Sequence, residues 1–301
     1  MTHHAAHATG SGHRSSERRR LKIAIVLTGL ILLVEAVGGV WANSLALLSD
    51  AGHVLTDLAA LALAYGAFVL ASKPATARKT YGWHRIEILA ALVNGALLLA
   101  LSAGILYEST QRFKAPPEVE VAPMAIAAIL GFLGNIAVMA ILMGGRSNLN
   151  LRGAMLHVMG DTLSSMGVIL TSILIAFTGW RRADAVMGMI IGLVIIVVSI
   201  QLLRQSVDVL LEATPEGIEL VEVSDAIVGI EGVREVHDLH IWSITSGMPA
   251  LSGHVVVENG ACGGTDGVLH RIKRMLHERF SITHTTLQLE SPDYEEYGEI
   301  H

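Results

Sequence analysis

The sequence predicts an α-helical membrane protein: a six-transmembrane-helix bundle followed by a small α+β domain. Three observations carry that prediction. Six apolar stretches long enough to cross a bilayer fill residues 22–208. Charged residues make up only 16% of the 301, against roughly 25% in a typical soluble domain, so the shortfall sits where water does not reach. Beyond about residue 209 the apolar pattern changes from continuous to alternating.

The first 21 residues, rich in His, Ser and Arg, lack the apolar core and small-residue cleavage site of a secretory signal. They read as a retained, flexible arm. Its histidines His3, His4, His7 and His13 either gather metal loosely or are incidental to a solvated tail. The first span covers about 22–42 and the second 45–71, once single embedded acids are allowed. The third runs over 88–107, and the fourth is the uninterrupted 121–145, VAPMAIAAILGFLGNIAVMAILMGG. A hydrocarbon core needs about 20 helical residues. The fifth and sixth cover 162–180 and 185–203. None shows the polar face at period 3.6 that marks a soluble helix, which is the pattern of helices exposed to lipid.

Bases near the span ends set the orientation. Twelve lie on one side: Arg14, Arg18, Arg19, Arg20 and Lys22 before the first span, Lys73, Arg78, Lys79 and Arg85 after the second, Arg146 and Arg152 after the fourth, and Arg204 after the sixth. Four lie on the other: Arg112, Lys114, Arg181 and Arg182. The positive-inside rule then predicts both termini in the cytoplasm of a multi-pass cell membrane protein. The short form, without a long His-rich loop, points to a bacterial inner membrane.

After residue 209 the alternation in VREVHDLHIWSI (233–244), ALSGHVVVE (250–258) and THTTLQLE (283–290) predicts three half-buried strands. Helical stretches at 215–229 and 265–280 separate them, the second opening on Thr265 and Asp266 as caps. The organisation expected is an arm (1–21), a six-span domain (22–208), a cytoplasmic α+β domain (209–292) and an acidic tail (293–301). Residues 1–208 hold 11 acids and 16 bases, and 209–301 hold 16 acids and 5 bases. An acidic terminal domain repels nucleic acid and anionic lipid but concentrates cations. The lone cysteine, Cys262, forms no internal disulfide and reads as a small residue in a Gly-rich loop.

Chemistry concentrates in two places. The second span holds His53-x-x-x-Asp57, and the start of the fifth holds His157-x-x-x-Asp161. Spacing of four puts both side chains on one helix face, so two such helices can aim two imidazoles and two carboxylates at one centre. One pair arises often by chance. Two pairs inside spans are another matter, since an ionised group costs about 2.5–3.5 kcal/mol at a helix centre. A shared divalent ion removes that cost. Zn²⁺ suits tetrahedral N and O ligands, whereas hard Mg²⁺ or Ca²⁺ wants more oxygens. An ion held there must be reached through the protein, which points to transport. Imidazole binds metal only when neutral, and its ordinary pKa is near 6.5, so protons compete for the same side chains. Glu35, Asp50, Asn94 and Asn135 are polar residues inside spans, expected to hydrogen-bond between helices. Asp50, one turn before His53, either lines the path to the site or caps the start of its helix.

Together, SLALLSDAGHVLTD (44–57), YGWHRIEILAALVN (81–94), HVMGD (157–161), HDLHIW (237–242) and LQLESP (287–292) make the chain resemble the cation diffusion facilitator family, zinc-type metal/proton antiporters, over about residues 20–292. The resemblance implies a homodimer of six-span protomers with ferredoxin-like cytoplasmic domains, exporting divalent metal against inward proton flow. Carried over by position, His53, Asp57, His157 and Asp161 match the family's transport site. Their His-Asp-His-Asp form resembles zinc-preferring members, in which Cd²⁺ or Co²⁺ also passes. Members with Asp at the first position are broader or manganese-directed. Some relatives carry a further Asp/His site between spans two and three. Here the matching positions are Thr76, Lys79 and Trp83, so that site is expected to be absent, and His84 reads as interfacial with Arg85.

In the terminal domain, His237, His240, His254, His284 and Glu290 are candidate ligands of a cytoplasmic metal site, beside Asp238. His237 and His254 match positions that bind regulatory zinc in some relatives; a metal there would clamp two copies of the domain. Which strand faces meet depends on pairing register, and the alternative is a His-rich interior or dimer contact. Two rival functions are an intramembrane zinc hydrolase and a membrane metal sensor. A hydrolase keeps an open zinc position for water, but this centre supplies four ligands and has no His-Glu-x-x-His. Six spans exceed what sensing needs.

Overall fold

The computed structural model describes residues 6–71, 73–143, 149–258 and 264–294, without the side chains of residues 6–22, 61, 64, 68, 142, 149–157 and 264–265. His3, His4, Cys262 and residues 295–301 of the acidic tail lie outside them, as do the side chains of His7 and His13. Six long helices come first: α1 (Ala6–Ala42), α2 (Leu45–Ala71), α3 (Ile86–Lys114), α4 (Val121–Met143), α5 (Leu149–Thr178) and α6 (Arg182–Leu210). Each contains a stretch long and apolar enough to cross a membrane. α1 starts well before its apolar part, Ile23–Ala42, so the backbone is helical through most of the stretch expected as a flexible arm. An already nucleated helix extends at little cost through residues such as Ala, Arg and Glu. α3 likewise outruns the expected span, ending in a polar turn where Arg112 Nε donates to Glu108 Oε1 at 2.9 Å.

The described residues up to 62, with 94–201, make one unit; 63–93, with 202 onward, make a second. In the first, Leu47, Met124, Val138, Val168 and Ile195 are at most 2% exposed and lie in its apolar clusters. Between membrane helices no water is released by packing, so close van der Waals contact between small residues does the work. The α1–α4 seam shows it: a Cβ on Gly38 would collide with that of Ala127, one on Gly134 would meet Ile31 at 2.6 Å, and one on Gly131 would strike the Glu35 carboxylate. Gly38→Val is expected to destabilise the bundle by about 1–3 kcal/mol, read as earlier unfolding on heating in detergent. Gly29→Val, where a Cβ meets nothing within 4 Å, should leave the transition unchanged.

The second unit carries α7 (Leu220–Val228), β1 (Val233–Thr245), β2 (Met248–Val257), α8 (Gly264–Phe280) and β3 (His284–Glu290). α7 begins later than the 215 expected because Pro215 and Gly217, at φ +83°, shape a turn closed by the Ile218 N–H to Pro215 C=O bond of 3.2 Å. β1 and β2 form an antiparallel hairpin across Gly247, at φ +73°. β3 then lies parallel to β2, in the order β1-β2-β3, a join that needs a crossover and finds it in α8. Val223 and Ile227 of α7 and Val268, Ile272 and Leu276 of α8, spaced by four and 0% exposed, cluster with Ile241, Leu251 and Val255 of the sheet. Each such burial stabilises by about 1.5–3 kcal/mol. The architecture is the six-span bundle and small α+β domain that the sequence predicts.

Candidate metal centres

α2 and α5 carry the first centre. His53 and Asp57 stand one turn apart on α2, and Asp161 projects from α5. His53 Nδ1 lies 3.8 Å from Asp57 Oδ2, and Nε2 lies 3.9 Å from Asp161 Oδ1. One ligand atom from each residue falls within 4.8 Å of the others. Ligands around a tetrahedral zinc at about 2.0–2.1 Å are separated by about 3.3–3.5 Å, so a small inward movement closes this set on an ion. The Asp161 side chain is 7% exposed and those of His53 and Asp57 are 21%. His157 stands one turn before Asp161 on α5, its side chain outside the described residues.

A polar layer lies beside the centre. Asn135 Nδ2 donates to Ser165 Oγ at 3.3 Å, and Ser165 Oγ donates to Asp50 Oδ2 at 3.2 Å, tying α4, α5 and α2 together. Glu35 is fully buried where α1 meets Gly131. The side-chain oxygen of Asn94 finds no donor among the described residues, so the interhelical bonding expected of it is not seen there. Asp50 does not cap α2, one of the two roles expected of it. Asp184 of α6 takes that role, accepting Ser44 Oγ at 2.6 Å, the Leu45 N–H at 2.7 Å and the Ala46 N–H at 3.2 Å. The first N–H groups of a helix have no partner within it, and a carboxylate there also meets the positive end of the helix dipole. Sequence reasoning missed Asp184. Its signal was the pairing of a Ser-Leu helix start with an acid in the first turn of another span.

The second centre belongs to the sheet. His237 of β1 pairs with His254 of β2, and β3 runs alongside to end at Glu290. His254 Nδ1 lies 2.9 Å from Glu290 Oε1, His237 Nε2 lies 3.4 Å from Glu290 Oε2, and the imidazole centroids are 5.3 Å apart. His240 is not in this set. The register slips between His237 and His240, with Asp238 at φ +49°, and the extra residue sets His240 opposite Ser252, on the same face as His237 and His254 but one pair further along the hairpin. There, 58% exposed, it meets Asp238 Oδ1 at 3.0 Å. His284 opens β3 opposite Ala250, exposed and away from Glu290 at the other end of that strand. Replacing both His237 and His254 with Ala is expected to remove one bound zinc per chain in equilibrium dialysis, with His240→Ala and His284→Ala leaving the stoichiometry unchanged.

Residues 21–211 match the family model described as cation efflux transmembrane domain, and residues 215–292 match cation efflux protein, cytoplasmic domain. The chain is 45% identical over 279 residues to the metal cation efflux system protein CzcD of Cupriavidus metallidurans, covering 92% of this chain and 88% of that one. It is 42% identical to a cadmium, cobalt and zinc/H(+)-K(+) antiporter of Bacillus subtilis, covering 93% and 92%. To the zinc transporter ZitB of Escherichia coli it is 37% identical, covering 96% and 93%.

Proposed function

Since this chain belongs to the cation efflux family, we propose that it exports Zn²⁺ from the cytosol in exchange for protons, with Cd²⁺ and Co²⁺ as further cargo. The observation that carries this reading is the convergence of His53, Asp57 and Asp161 from two membrane-spanning helices. His157 supplies the fourth ligand. Two imidazoles and two carboxylates favour Zn²⁺ over hard ions that demand more oxygens.

The exchange follows from the ligands. A proton on an imidazole removes the lone pair that zinc needs, and protonated carboxylates hold a dication weakly. A carrier that opens this centre alternately to each side loads zinc where protons are scarce and releases it where they are plentiful. Each cycle leaves the centre protonated for return, so buried charge is never left uncompensated. The protein works as a homodimer in a bacterial inner membrane with both termini in the cytoplasm. A second zinc at His237, His254 and Glu290 regulates the carrier by clamping the terminal domains.

Proteoliposomes with an imposed pH gradient test the proposal. Zinc is expected to accumulate in the acidic lumen, and collapsing the gradient with an ionophore should stop uptake. Movement of Mn²⁺ or Fe²⁺ but not Zn²⁺ would overturn the metal assignment; zinc flux indifferent to the gradient would overturn the proton exchange.

A further inference from the structure

Within the second unit, a cleft of about 690 Å³ opens between the segment joining α2 to α3 and the outward face of the sheet. Arg78, Lys79, Tyr81 and Arg85 line it from the joining segment, and Trp242 from β1. Glu212 is the one acid among the described lining residues, and it is spent on Arg85, whose Nη2 lies 2.7 Å from Glu212 Oε1. That leaves Arg78 and Lys79 as cations in the cleft without a described carboxylate beside them in its lining. Lys79 Nζ is steered to 2.9 Å above the Trp83 ring centroid, which holds it in place and keeps its charge. This net positive hollow contrasts with the acidic composition of the domain that forms its other wall.

The position of the cleft says what fills it. The joining segment is bounded by the ends of two membrane-crossing helices, α2 finishing at Ala71 and α3 starting at Ile86. Its bases therefore stand at the depth of lipid headgroups, and Tyr81 is exposed beside them as interfacial aromatics are. We propose that the cleft binds the phosphodiester headgroup of an anionic lipid, Arg78 and Lys79 holding the phosphate and Tyr81 and Trp242 flanking the glycerol. Lipid attached there links the α2–α3 connection to the sheet by a contact distinct from the metal ligands.

The test uses the full-length protein, its retention of phosphatidylglycerol read by native mass spectrometry after transfer from phosphatidylcholine vesicles doped with that lipid. The native chain is expected to keep phosphatidylglycerol in preference to phosphatidylcholine. Neutralising both bases in Arg78→Gln/Lys79→Gln should lower that preference by roughly tenfold or more. The charge-preserving pair Arg78→Lys/Lys79→Arg should keep it, which separates lost binding from a misfolded loop. Soluble glycerol 3-phosphate should not displace the lipid. Unchanged retention in the neutralised variant overturns the site. Displacement by glycerol 3-phosphate, with no lipid preference, overturns the lipid as its occupant and makes the cleft a receptor for free phosphates.

Discussion

Asp161→Asn is expected to abolish gradient-driven zinc uptake while leaving the protein folded. Asp161 is the least exposed of the three grouped ligands and the one that brings α5 to the pair on α2. Amide for carboxylate keeps the shape and removes the charge. The loss in zinc affinity should exceed the roughly 100-fold that losing a mere outer-shell partner can cost. Calorimetric titration of the purified variant measures it, with His237 and His254 replaced in the same background so that only the membrane centre contributes. Asp57→Asn should behave alike. Retained flux in both would remove these carboxylates from the transport path.

Asp184→Ala is expected to destabilise the bundle by about 2–4 kcal/mol, combining the loss of a helix cap with buried donors left unmet. The 2%-exposed carboxylate serves two backbone N–H groups and the Ser44 hydroxyl at once. Asp184→Asn keeps one acceptor oxygen and should lose about half as much. The measurement is thermal unfolding in detergent, alongside zinc affinity at a temperature where each variant is folded. A cap predicts a large change in unfolding with a small one in affinity, the reverse of the pattern at Asp161. Equal changes in both would mean that Asp184 acts at the metal directly.

Much of this was legible in the sequence. The six spans were plain because an apolar run of 20 residues has few soluble explanations, and the two His-x-x-x-Asp pairs because charge inside such runs needs a reason. The set His237, His254 and Glu290 was legible only in composition. Five candidate ligands were visible in the domain, and choosing three of them took a pairing register that single-residue alternation does not fix. The slip at Asp238, which sets His240 opposite Ser252, is a backbone event with no side-chain signature. Asp184 was hidden for another reason: its partners are some 140 residues earlier, and an acid at a helix start already has a local explanation. Basic residues after the second span were legible as topology, but the cleft they line depends on a tertiary approach that no local pattern encodes.

The clamp between α6 and the start of α2 also constrains how the chain is made. α2 emerges from the ribosome second and α6 sixth, so the Leu45 and Ala46 amides of the helix that bears His53 and Asp57 lack this partner through the synthesis of nearly the whole membrane domain. They are satisfied only when Asp184 arrives. A truncated or stalled chain would therefore hold that helix with an open, hydrated end. Closure of α6 onto the start of α2 is in this sense the last act of the bundle's assembly.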